Sequence, residues 1–230
     1  MRMAFYLSSI CIFLLILAGP LEAYQNMITT KIKKGEYLRE DYILKLKATK
    51  SPLKSRIWGT PQLVNIAQQS NGYLIQTILD FDEGGPEFCF APNGEIISKG
   101  SSARRPTFEI IDSQSIKFGY DEFTPQIYYG VNVAERYVEQ ICLAGTYFDN
   151  HNKQYILNGN GTAVFPQGRI TYAIGLVLPP QFSYDYFMSK PNEYSFYWQN
   201  DTLFLFDVTG GSLFEDGEVD LKSVRHLKKQ

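Results

Sequence analysis

The residues able to carry acid–base or nucleophilic chemistry are few and scattered. Histidine occurs twice, at His151 and His226. His151 sits in Asp149-Asn150-His151-Asn152, a turn sequence, and His226 sits in a basic run near the end of the chain. A Ser-His-Asp triad would have to use one of them, and no G-x-S-x-G elbow occurs. A cysteine nucleophile requires a free thiol beside a histidine. H-E-x-x-H, paired C-x-x-C, G-x-x-x-x-G-K-S/T and G-x-G-x-x-G are all absent, so no metal site and no cofactor is assigned. Two acidic clusters, Asp80-Phe81-Asp82-Glu83 and Glu215-Asp216-Gly217-Glu218-Val219-Asp220, lack EF-hand spacing and read as solvated loops. Paired carboxylates also serve glycosidases. A carboxylate-dependent hydrolase is therefore the third of three functional readings.

The aromatic stock is larger: 16 Tyr, 16 Phe and 2 Trp, or 15% of the chain. Tyr184, Tyr186, Phe187, Tyr194, Phe196, Tyr197 and Trp198 crowd into one short stretch. An alternating strand sends Phe196 and Trp198 to one face and Tyr197 to the other. On this alternation Trp198, Phe196 and Tyr172 are the candidate lining of a ligand pocket. Such faces also suit a platform for stacking sugar rings, or an ordinary β core. Asn160-Gly161-Thr162 and Asn200-Asp201-Thr202 match the N-glycosylation sequon, both in turn sequences.

Charge and hydropathy set the compartment and the outer organisation. Arg2, the uncharged apolar stretch Met3–Ala18 and the break at Gly19-Pro20 have the layout of a secretory signal peptide over 1–23. The expected destination is periplasmic or extracellular, with Tyr24 as the mature N-terminus and no transmembrane span left after cleavage. Two cysteines then remain, and export permits a disulfide between Cys89 and Cys142. Such a bridge would be worth about 4 kcal/mol in the chain-entropy model. Two unpaired buried cysteines are the alternative.

Residues 24–56 carry nine basic and three acidic side chains, whereas the whole chain is −2. That balance excludes a basic nucleic-acid binder by composition. Leu38, Tyr42 and Leu46 recur at four-residue spacing and predict an amphipathic helix over 36–49, ended by Ser51-Pro52. The segment reads as a basic, partly helical arm whose removal would leave the remainder folded.

Residues 57–208 read as β. Asn93-Gly94 stands between the apolar runs Phe88–Phe90 and Ile96-Ile97, a strong hairpin signal. Ile116, Phe118 and Tyr120 alternate, as do Ile170, Tyr172 and Ile174. Nine or more strands are expected. Val133, Tyr137 and Ile141 instead share helical spacing and predict one short helix over 133–141. Phe88-x-Phe90-x-x-Asn93-Gly94 has the spacing of Tyr155-x-Leu157-x-x-Asn160-Gly161, which suggests two similar halves, 57–130 and 143–208. Consecutive hairpins favour an antiparallel meander closing into a barrel or sandwich. Residues 209–230 read as a charged tail.

Leu143-Ala144-Gly145-Thr146-Tyr147, followed by a polar turn and the run Tyr155–Phe165, resembles the opening of lipocalin-like domains. In that family a glycine followed by an aromatic residue enters the first strand of a meander barrel. Here Tyr147 stands where the usual tryptophan would be, and the resemblance spans residues 143–208. It implies a cup for a small apolar or amphipathic ligand. The first reading is thus an exported, non-enzymatic protein binding such a ligand in a lipocalin-like barrel. The second is a surface module that binds carbohydrate or protein through exposed aromatics and the basic arm.

Overall fold

The computed structural model describes residues 32–57, 61–78, 84–98, 106–120, 124–176, 183–189, 192–209, 218–219 and 223–230. The expected leader at 1–23, Trp58-Gly59 and the acidic residues 80–83 and 215–217 lie outside these. Among the described residues no helix is long and apolar enough to cross a membrane.

The chain forms two antiparallel sheets, each nearly closed into a barrel. In chain order the first holds β1 (Gly35–Arg39), β2 (Leu63–Gln69), β3 (Gly72–Ile78), β4 (Gly84–Phe90), β5 (Ile96–Ser98), β6 (Pro106–Ile110), β7 (Ser115–Tyr120) and β8 (Gln126–Val131). Its spatial order is β5-β4-β3-β2-β1-β8-β7-β6, so the last strand returns to the first. The second sheet holds β9 (Gly145–Phe148), β10 (Gln154–Asn158), β11 (Thr162–Phe165), β12 (Gly168–Thr171), β13 (Ala173–Ile174), β14 (Asp185–Ser189), β15 (Asn192–Gln199), β16 (Thr202–Thr209), β17 (Glu218–Val219) and β18 (Arg225–Lys229). Its order is β12-β11-β10-β9-β18-β16-β15-β14-β13, with β17 paired to β16 off this path. Both sheets therefore share one plan. The first strand lies mid-sheet, the last strand pairs with it, and the open seam falls between two strands consecutive in sequence.

Among the described residues three helices complete the fold: α1 (Glu40–Thr49), α2 (Pro52–Ser55) and α3 (Ala134–Cys142). The helix expected from residue 36 begins at Glu40 instead. Residues 35–39 are held extended by pairing with β2 on one side and β8 on the other. Glu40 and Asp41 in the first turn and Lys47 in the last suit the helix dipole. Lys50 ends α1 in the left-handed region, φ 51°, with its N–H on the Leu46 carbonyl at 2.8 Å. Pro52 then opens α2, and Ser51 Oγ accepts the Lys54 N–H at 3.1 Å. The short helix expected over 133–141 is α3. Its leading residue Val133 has no capping side chain, and the Glu36 carboxylate of β1 accepts the Ala134 N–H in its place.

Alternation fills both barrels with the protein's own side chains. Tyr37, Ile75, Phe88, Phe90, Phe118, Tyr120 and Tyr128 pack the first. Phe88 lies 5.7 Å from Phe118 and 5.4 Å from Tyr120, centroid to centroid. Phe165, Tyr172, Phe187, Tyr194 and Phe196 pack the second. Tyr42, Ile43 and Leu46 of α1 and Val138 and Cys142 of α3 join that second core, as do Leu38 and Leu63 from the opposite face of the first sheet. Strand β1 is thus buried on both sides, Tyr37 at 1% exposure and Leu38 at 2%. It is no detachable arm: both sheet pairings and two cores run through it. The expected charged tail likewise contributes β18, which closes the second sheet and buries Leu227 completely.

The entry to each barrel repeats in a way the hairpin spacing does not. Gly35-x-Tyr37 opens β1 and Gly145-x-Tyr147 opens β9. Tyr37 donates its hydroxyl to the Lys33 carbonyl at 2.7 Å, and Tyr147 donates its own to Leu143 at 2.6 Å, four residues back in both cases. By topology the β10–β11 hairpin at Asn160-Gly161 corresponds to β2–β3, not to β4–β5 at Asn93-Gly94. Tyr37→Phe and Tyr147→Phe each remove one such bond and should each lower stability by about 1 kcal/mol. The two tyrosines belong to separate cores, so urea denaturation of the double variant should give the sum.

Candidate binding groove

The three residues expected to line a pocket are brought together as core packing. Phe196 is fully buried, and Tyr172 is 3% exposed. Phe187 links them, with centroids 5.1 Å from Tyr172 and 6.2 Å from Phe196. Tyr172 donates its hydroxyl to the Asn158 carbonyl at 2.7 Å. Trp198 shares the inner face with Phe196 and is half-buried. Its Nε1–H donates to the Cys142 carbonyl at 3.0 Å, and Lys50 Nζ lies 4.5 Å from its ring centre.

Tyr197, on the opposite face as alternation requires, belongs to a different assembly. Register places Tyr197 of β15 opposite Phe204 of β16, and Phe204 opposite His226 of β18. The Tyr197 and Phe204 rings are parallel within 5°, at 4.6 Å. Phe204 lies 4.6 Å from the His226 ring, and Phe206 stacks on Tyr197 at 5.7 Å. Tyr184, just ahead of β14, approaches Tyr197 at 5.8 Å and Phe206 at 5.6 Å. These rings floor an open groove of about 430 Å³ on the outside of the second barrel, with Lys54, Ser183 and Val224 completing its walls. A smaller recess of about 250 Å³ lies between Glu40, Ile43, Leu44, Lys47, Tyr129 and Tyr137.

Alternation alone could separate Tyr197 from Phe196. It could not choose Phe204 and His226 as cross-strand partners, because that needs the register of three strands. Lys54 belongs to the basic segment 24–56 and His226 to the C-terminal segment 209–230, far from Tyr197 in sequence.

Beneath the groove's edge lies a buried carboxylate. Asp185 follows Tyr184 and is 2% exposed. Its Oδ1 accepts the Leu53 N–H of α2 at 2.7 Å. Burial pushes its pKa up to about 6, against the lowering effects of the Ser51 hydroxyl, the Leu53 N–H and Lys54. Glu139 of α3 is the second carboxylate buried in this core. Arg136 Nη1 holds both its oxygens, at 2.6 and 2.7 Å, and also reaches the Tyr172 carbonyl at 3.1 Å. Its pKa is also raised, burial outweighing the guanidinium.

The expected disulfide is overturned, since Cys89 and Cys142 are both free thiols. Alternation on β4 sends Phe88 and Phe90 into the first barrel, leaving Cys89 half-buried on the other face, 4.0 Å from Gln69 Oε1. Helical spacing puts Cys142 in line with Ala134 and Val138 in the second core. Burial there pushes its pKa well up, so the thiol stays protonated. His151 is exposed in its turn, where Asp149 Oδ1 accepts the backbone N–H groups of His151 and Lys153. Among the described residues no cluster of three or more His, Cys, Asp or Glu is arranged to hold a metal. Comparison of the chain with protein-family models, with curated proteins and with solved structures finds no match.

The sign of the Asp185 shift fixes a pH effect. The folded state binds this proton more tightly than the unfolded chain, whose carboxyl keeps the ordinary value of 3.8. The cost of burying the charge is therefore full above about pH 7 and disappears as pH falls towards 4. Asp185→Asn removes that titration. The stability difference between wild type and this variant, from urea denaturation, should change by about 2 kcal/mol between pH 7.5 and pH 4. The wild type should be the relatively better of the two in acid.

Proposed function

We propose that the chain is an exported, non-enzymatic binding protein of two lipocalin-like barrels, and that it seats a saccharide ring on the outer groove of the second. The observation that carries the reading is the parallel Tyr197–Phe204 stack extended by Phe206 and Tyr184. Tyr184, Tyr197 and Phe204 are partly exposed at the groove, with Phe206 buried against them, and their exposed parts offer dispersion contact to the apolar face of a sugar. Lys54, Ser183 and His226 stand at the same groove as polar partners for its hydroxyls. Within the broader ligand-binding reading, packing also favours this face. The positions of Trp198, Phe196 and Tyr172 are occupied by the protein's own contacts, which a ligand inside the barrel would have to displace.

The test is a glycan array probed with wild type, Tyr197→Ala and Phe204→Ala, each checked for native far-UV circular dichroism. Losing one stacking ring should weaken binding by about 1 kcal/mol or more, roughly fivefold. Equal binding by all three proteins, or none by wild type, would overturn the assignment. A lipid mass retained in native mass spectrometry would return the ligand to the barrel interior. Export carries its own check: protein recovered from the secreted fraction should begin at Tyr24, and one that begins at Met1 would contradict it.

A further inference from the structure

We infer that α2 is a latch on the edge of the groove, tied down through Asp185, and that proton uptake by this carboxylate closes it. The inference rests on the groove reading for its purpose, though not for its mechanics.

One carboxylate joins two pieces of the groove wall. Asp185 begins β14 directly after the groove residue Tyr184. Alternation turns Tyr184 outward and Asp185 inward, opposite the buried Phe196 of β15. On the helical side its partner is the Leu53 N–H, one residue from Lys54, which lines the same groove. Ser51 bonds to the carboxylate and also caps α2 through the Lys54 N–H. The seat of α2 on Asp185 thus joins Tyr184 to Lys54, alongside the Thr49–Ser55 hydroxyl contact at 2.9 Å that ties α2 to α1.

The surroundings decide which charge state seats it. The titratable and charged groups around Asp185 are Tyr42 from α1, Cys142 from α3 and Lys54 from α2. Lys50, at the end of α1, acts on the same thiol. Burial holds the Tyr42 hydroxyl and the Cys142 thiol in their protonated forms, so neither balances a negative charge. Lys54, the cation that acts on Asp185 from α2, is exposed. Lifting α2 would hydrate Asp185 and return it to ordinary carboxylate acidity. The ionised form therefore gains from opening and the protonated form does not. With the seated carboxyl titrating near 6 and the hydrated one near 3.8, the opening equilibrium should rise about tenfold from pH 5 to pH 7.

Hydrogen exchange of the Leu53 amide, followed by NMR and corrected for intrinsic rates, reads this equilibrium without any ligand. The Lys50 amide, bonded to the Leu46 carbonyl within α1, is the internal reference. In wild type the Leu53 protection factor should fall about tenfold between pH 5 and pH 7 while that of Lys50 holds. In Asp185→Asn, Leu53 protection should not depend on pH. If that variant does not fold, the contrast between the two amides in wild type still decides the matter. Leu53 protection that is weaker in acid would mean that the charge itself holds the latch, and would overturn the inference. So would a parallel response of both amides, or an unchanged pH response in the variant. Failure of the glycan array leaves these outcomes intact, so the two ideas stand or fall separately.

Discussion

Strand β1 is the constraint on which the rest depends. Five residues pair with β2 on one side and β8 on the other, so they complete the first barrel. Their two faces serve different cores, Tyr37 pointing into the first barrel and Leu38 into the helical layer that packs on the second. Glu36 on the same strand receives the leading N–H of α3. Few surface strands meet three such demands at once. A substitution here acts on the first barrel, on the joint and on the start of the second together.

Where the aromatic residues go follows from the same arithmetic of alternation. Most of the described rings fall on inward positions and make a dense interior of the kind that resists compression. A smaller set, at Tyr197, Phe204 and Phe206, falls on outward positions of adjacent strands. Those rings meet only because β15 and β16 pair without an offset between Tyr197 and Phe204. A slip of one residue would turn them inward and bring Leu203 and Leu205 to the surface. The groove and the core of the second barrel are thus two sides of one register.

Much of the fold was legible in the sequence because its signals are local. Asn93-Gly94 and Asn160-Gly161 mark real turns, the alternation of Ile116, Phe118 and Tyr120 marks an inward row, and a helix stands where α3 was expected, though its buried row is Ala134, Val138 and Cys142 and not Val133, Tyr137 and Ile141. Gly145-x-Tyr147 opens the first strand of the second sheet. Other features depend on what lies across the sheet. Leu38, Tyr42 and Leu46 fit one helical stripe, yet Leu38 is a strand residue whose outward face meets the same core that α1 enters. Alternation turns Cys89 away from Phe88 and Phe90, but that Cys142 lies in a different core depends on how the two sheets are arranged. The groove was half legible: the sequence separated Tyr197 from Phe196, while Lys54 and His226 arrive from segments far away in the chain.

The route by which α1 reaches its core has a consequence for synthesis. Tyr42, Ile43 and Leu46 are made early, yet α3 and the second-barrel strands that share their core follow only from Ala134 onward, about 90 residues later. At roughly 5–20 residues per second, the apolar face of that helix waits about 5–20 s for its permanent partners. During that interval the first barrel can assemble beside it but cannot shelter all of it. The nascent chain therefore carries a sticky helix through a substantial part of its elongation, and a slow ribosome lengthens the time in which a chaperone or another chain can find it first.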